Sequence, residues 1–114
     1  MPNEPMTYSR RPGSHEGVEI LSLIGPFTLN NIFQFQRDLQ EIKPQLLIFD
    51  LAQVPYMDSA GLGLLMNFYV SAQKNGRKMA VAGASQRVTA LFEMTKVASL
   101  LRLFPTAAEA EAAG

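Results

Sequence analysis

The run Leu46-Leu47-Ile48-Phe49, continued by Asp50-Leu51, leaves this chain few architectures. A strand this apolar, without regular polar alternation, is the signature of an interior strand of a parallel sheet, whose helices could cover one face or both. Parallel neighbours need long crossover connections, usually helices, and helical patterns stand on both sides of the run. Before it, Ile32, Phe35, Leu39 and Ile42 share one helical face, while Gln36, Arg37, Gln40 and Lys43 point elsewhere. Pro44 ends that helix. Asn30 or Asn31 is its expected cap, with Gln34 three residues after Asn31 in capping-box spacing. Phe33 falls off the stripe and is expected to be partly buried. After the run, Leu62, Leu65, Met66, Tyr69 and Ala72 form a second core-facing stripe. Asn75-Gly76 closes it with a residue suited to the left-handed C-terminal position.

The rest of the chain extends the same alternation. Residues 1–5 are expected to be a loose tail. Met6 to Arg11 reads as a short strand, Pro12-Gly13-Ser14-His15-Glu16-Gly17 as turn chemistry, and Val18 to Ile24 as a half-buried strand completing a hairpin. Gly25-Pro26 stops that strand. Lys78 to Ala82 is the next strand, and Ser85 caps a helix with Val88, Leu91, Phe92 and Thr95 inward. Leu100 to Phe104 holds a short last strand. Thr106 and Glu109 form a second capping box that opens an Ala-rich terminal helix. The predicted order is β-β-α-β-α-β-α-β-α. It describes a single α/β domain over residues 1–114, with a mixed, mostly parallel sheet of about five strands and about four helices.

Composition removes several classes of function. Ten basic side chains balance ten acidic ones, so the electrostatic footprint of a direct nucleic-acid binder is missing. Without cysteine there are no disulfides, no thiolate chemistry and no cysteine-ligated metal. No segment approaches the roughly 18 consecutive apolar residues of a membrane span. Met1-Pro2-Asn3-Glu4-Pro5 lacks the basic and apolar regions of a secretion signal, so a cytoplasmic location is expected.

The polar turn Asp58-Ser59-Ala60-Gly61, between the apolar strand and the helix after it, is where chemistry could reside. A serine nucleophile elbow needs Gly two residues before and two after the Ser. Gly61 satisfies the second, but Met57 stands at the first. The sole histidine, His15, lies in a predicted hairpin turn, so no base accompanies Ser59. Gly61-Leu62-Gly63 lacks the third glycine and the Lys-Ser/Thr of phosphate loops. Both glycines are better read as allowing the helix start to approach a neighbour closely. Asp50 and Asp58 are too isolated for a metal site, and Asp50 reads as a turn or cap residue. What remains is a helix start capped by Asp58, with one free hydroxyl on Ser59. A phosphate there would meet the unpaired N–H groups of the helix and add roughly 1.5 to 2 negative charges to the surface.

The stretch Met57-Asp58-Ser59-Ala60-Gly61-Leu62-Gly63-Leu64-Leu65, preceded by Phe49-Asp50-Leu51 and Val54, closely resembles the signature of the STAS domain. That family includes the bacterial anti-sigma factor antagonists. The resemblance runs from about Val18 to Phe104, taking in Leu23-Ile24-Gly25-Pro26 and Val88-Thr89-Ala90-Leu91-Phe92-Glu93-Met94-Thr95. It implies a STAS-like fold and a regulator without enzymatic activity or cofactor. Ser59 would be the phosphorylation site, and Asp58, Ser59, Ala60, Gly61, Leu62 and Thr28 the partner-binding residues. The implied partners are an anti-sigma factor that is a serine kinase and a serine phosphatase that resets the switch. Two departures stand out. Ala60 replaces a second serine common in the family, and Gly25-Pro26-Phe27-Thr28 replaces a Gly-x-Leu-Asp element, so Thr28 lacks a carboxylate. They motivate an alternative, a STAS subunit that binds an ABC-type lipid transport ATPase without phospho-switching.

Overall fold

The computed structural model describes residues 5–113, the Gln34 side chain excepted. Most of the expected tail and the Gln34 half of the first capping box therefore lie outside the described residues. The sheet contains β1 (Thr7–Pro12), β2 (Val18–Ile24), β3 (Leu46–Gln53), β4 (Lys78–Ala82) and β5 (Leu103–Phe104), side by side in that order. β1 pairs antiparallel with β2, and every later pairing is parallel. The helices are α1 (Leu29–Leu39), α2 (Ser59–Lys74), α3 (Gln86–Met94), α4 (Ala98–Leu101) and α5 (Ala107–Ala113).

β3 accounts for the unbroken apolar run. Its Leu47, Phe49 and Leu51 join the larger core with Phe35 of α1, Leu65 of α2 and Phe92 of α3. Leu46 and Ile48 face the other way, into a smaller cluster with Ile20, Ala80, Ala82 and Ala110 of α5. Helices therefore cover both faces, and the terminal Ala-rich helix supplies the second cover. Its small side chains suit a close approach to β3 and β4.

Several expectations change. α1 begins after Thr28, not after Asn30 or Asn31, and Thr28 makes no side-chain cap bond. Asn31 Nδ2 instead donates to the Pro26 carbonyl, 2.8 Å away. Phe33 is 68% exposed because it lies opposite the stripe that meets the sheet. The stripe of α2 is wider than predicted: Leu64 is buried too, while Met66 and Tyr69 are only half-buried. The segment expected as a last strand is divided. Leu100 and Leu101 end α4, Arg102 turns left-handed at φ 52°, and only Leu103 and Phe104 pair with β4. Burial of Leu101 as a helical residue outweighs its strand propensity. Thr95 is exposed at the end of α3, its hydroxyl donating to the Leu91 carbonyl at 2.7 Å. Gly76 does adopt φ +70° beyond α2, and Thr106 Oγ1 accepts from the Glu109 amide at 3.1 Å.

Two remote contacts tie the chain together. The Ser14 hydroxyl (2.6 Å) and its backbone N–H both donate to the Glu111 carboxylate, clasping the first hairpin to α5. Near the Asp58-Ser59 turn, the loops after β2 and β3 run side by side through a parallel bridge between Phe27 and Met57. Phe27 N–H donates to the Tyr56 carbonyl at 3.1 Å, and Asp58 N–H donates to the Phe27 carbonyl at 3.3 Å. This contact explains Gly61: a Cβ there would sit 2.3 Å from the Phe27 carbonyl oxygen. Gly63 has no such reason, since a Cβ would meet nothing within 4 Å.

The two glycines should thus separate on substitution. Gly61→Ala is expected to lose ~1–3 kcal/mol in urea unfolding, as over-packing does. Gly63→Ala should be neutral or gain up to ~1 kcal/mol from helix propensity. Equal effects would remove the close approach as the cause. The clasp has its own signature. The Ser14 hydroxyl and then its N–H hold the Glu111 carboxyl below its ordinary value of 4.5. The clasp therefore contributes at neutral pH and is lost as pH falls through that lowered value. An NMR titration should find the Glu111 midpoint below 4.5, returning upward in Ser14→Ala. An unchanged midpoint in the variant would dismiss the clasp.

Candidate functional site

In a parallel α/β sheet, the loops leaving the carboxyl ends of the strands gather at one edge, where sites usually form. Here the starts of α1, α2 and α3 follow β2, β3 and β4 at that edge. Asp58 joins the first two. Its backbone is extended (φ −105°, ψ −176°), the geometry of a residue standing just before a helix. Oδ1 accepts from the Gly61 amide at 3.0 Å, capping α2 as expected. Oδ2 accepts from the Leu29 amide, also at 3.0 Å, and thereby caps α1. A single carboxylate satisfies two helix starts, and its negative charge suits the positive ends of both dipoles. Thr28 occupies the cap position of α1 without a cap bond because Asp58 supplies it.

Ser59 is the first residue of α2 and is exposed. Asp58 holds its backbone from the N-terminal side, and the buried Gly61 and Leu62 hold it from within the helix. Ala60 is half-buried against the larger core. All six residues expected in a partner-binding patch therefore meet at this edge, but in different roles. Ser59 presents its side chain. Thr28 and Asp58 are half-buried, and Gly61 and Leu62 turn inward and fix the position of the serine. No group of three or more acidic, histidine or cysteine side chains gathers here or elsewhere among the described residues in a way that could hold a metal.

Two surface residues at this edge, Leu29 and Arg87, escaped the sequence reading, and a third, Phe33, was placed off the core stripe but expected to be partly buried. Leu29 is 52% exposed at the start of α1, and Phe33 lies one turn further along the same face. The Arg87 guanidinium, at the start of α3, sits 5.0 Å from the centre of the Tyr56 ring, two residues before Asp58. Arg87 forms no ion pair among the described residues. A signal for it existed, since the Ser85 cap places a helix start beside that of α2 once the sheet is parallel. Nothing local signalled the Asp58 bond to Leu29, which joins residues 29 positions apart.

The fold has close relatives of known structure. The chain superposes on an anti-sigma factor antagonist from Mycobacterium paratuberculosis with a TM-score of 0.84 at 22% identity, covering 95% of this chain and 92% of that one. It also superposes on the Bacillus cell fate determinant SpoIIAA in its phosphorylated form, with a TM-score of 0.72 at 14% identity over 91% and 96% of the two chains. At these identities the likeness speaks for the fold. In sequence, the anti-sigma-B factor antagonist of Listeria monocytogenes is 25% identical over 101 residues, 89% of each protein. Residues 13–110 match the STAS domain, and the chain belongs to the STAS domain family.

Proposed function

We propose that this protein is an anti-sigma factor antagonist that works as a partner switch at Ser59. Unmodified, it binds an anti-sigma factor that is also a serine kinase, and so frees the sigma factor for transcription. Phosphorylation of Ser59 by that kinase ends the complex, and a serine phosphatase restores it. The protein acts as a regulator and not as an enzyme, in the cytoplasm, and ATP belongs to the kinase. Relatives named as anti-sigma-B factor antagonists support the general role, and the Bacillus protein solved in a phosphorylated form supports the chemistry.

The observation that carries the proposal is the geometry of Asp58 and Ser59. The carboxylate is engaged by two backbone amides, while the adjacent hydroxyl is exposed at the helix start. A phosphate on Ser59 adds roughly 1.5 to 2 negative charges at a point where the helix end tolerates an anion. The fold need not rearrange for that charge to act. A partner docked over Ser59, with Leu29 and Phe33 offering apolar contact beside it, would meet a second anion next to Asp58. Juxtaposed like charges at an interface cost several kcal/mol, enough to dissociate a micromolar complex at cellular concentrations.

The test is incubation with the cognate kinase and ATP, followed by mass spectrometry. One phosphate is expected, on Ser59, and none in Ser59→Ala. A modified Ser59→Ala protein, or an unmodified wild type, would refute the assignment. Ser59→Asp, with one added charge, should weaken kinase binding by about tenfold or more. Its unfolding free energy should stay within about 0.5 kcal/mol, as for most surface changes. Affinity capture that recovers an ABC-type transport ATPase and no kinase would favour the constitutive subunit that Thr28 and Ala60 suggested.

A further inference from the structure

At the other end of the sheet lies a groove that the partner switch does not use. Ser59 follows the carboxyl end of β3, whereas Arg77 directly precedes the amino end of the parallel β4. The groove runs between the end of α1 and the second half of α2 and has a volume of about 530 Å³. That lies within the ~300–1,000 Å³ typical of small-molecule sites. Its base is apolar. Leu39 and Leu64 are buried, and the half-buried Phe68 packs edge-on against Phe49 with ring centres 5.4 Å apart. Asn67 and Ser71, four residues apart on α2, line it with polar groups.

Arg77 also lines this groove. Its Nη1 is buried and has no hydrogen-bond partner among the described residues. Glu41 and Lys43, also on the lining, offset each other in charge, and Glu41 forms no ion pair with Arg77. A buried guanidinium nitrogen without an acceptor is unfavourable. The planar guanidinium fork matches the oxygens of a carboxylate or phosphate. An acceptor of that kind, joined to a short apolar body that covers Leu64 and Phe68, would complete the groove.

We propose that this groove is a binding site for a small amphiphilic anion, its carboxylate or phosphate head on Arg77 and its apolar body over Leu64 and Phe68. The site is separate from Ser59 and does not rest on the partner-switch reading.

The experiment is an NMR titration of the full chain with octanoate, octyl phosphate and, as a neutral control, octanol. The anions should give saturable shifts at Asn67, Ser71 and Arg77 at millimolar concentration or below. The stronger of the two identifies the preferred head group. Octanol should bind at least about tenfold more weakly, a difference that needs no variant to measure. Arg77→Gln should weaken the anions by about tenfold or more, and Arg77→Lys should restore part of the loss. Absence of saturable shifts, equal binding of octanol and octanoate, or undiminished anion binding to Arg77→Gln would each overturn the proposal.

Discussion

The Asp58 carboxylate anchors two helices at once, and the geometry of the whole edge follows from it. One oxygen takes the Gly61 amide of α2 and the other takes the Leu29 amide of α1. The Phe27–Met57 bridge brings the two loops close enough for this, and the bare Cα of Gly61 lets the Phe27 carbonyl pass. Capping bonds of this type each contribute typically about 1 kcal/mol. Their larger effect here is positional: the residue after Asp58 is held at a defined point on the surface with its hydroxyl outward.

That arrangement suits a switch that changes the surface and leaves the fold in place. The interior next to Ser59 is already closed by Gly61, Leu62 and Leu65, and the Leu29 and Gly61 amides are committed to Asp58. A new charge on Ser59 therefore projects to the surface. Arg87, stacked on Tyr56, places a cation at the same edge.

Much of this was legible before the structure. The apolar run of β3 marked an interior parallel strand, and the helices beside it were visible as stripes such as Ile32-Phe35-Leu39-Ile42. Cover on both faces was not readable, because it depends on where α5 packs. Asp58 was readable as a cap because the bond it makes to Gly61 is local. Its bond to Leu29 was not, because it depends on how two loops pack after the sheet forms. The same limit explains the misplaced start of α1: Thr28 has no cap bond of its own, so the usual signal pointed to Asn30 or Asn31. Gly61 and Gly63 looked equivalent in sequence, and only the Phe27 carbonyl distinguishes them. Exposure of Phe33 and the helical turn at Leu100-Leu101 likewise depend on tertiary packing that outweighs local pattern.

The central claim is that modification of Ser59 alters the surface while Asp58 keeps its two bonds. Amide hydrogen exchange on the fully Ser59-phosphorylated protein tests it most directly. The account predicts that the amides of Leu29 and Gly61 keep the protection they have in the unmodified protein, with chemical-shift changes confined to the edge around Ser59. Loss of protection at both amides would contradict it, because the phosphate would then have displaced the carboxylate and opened the starts of both helices.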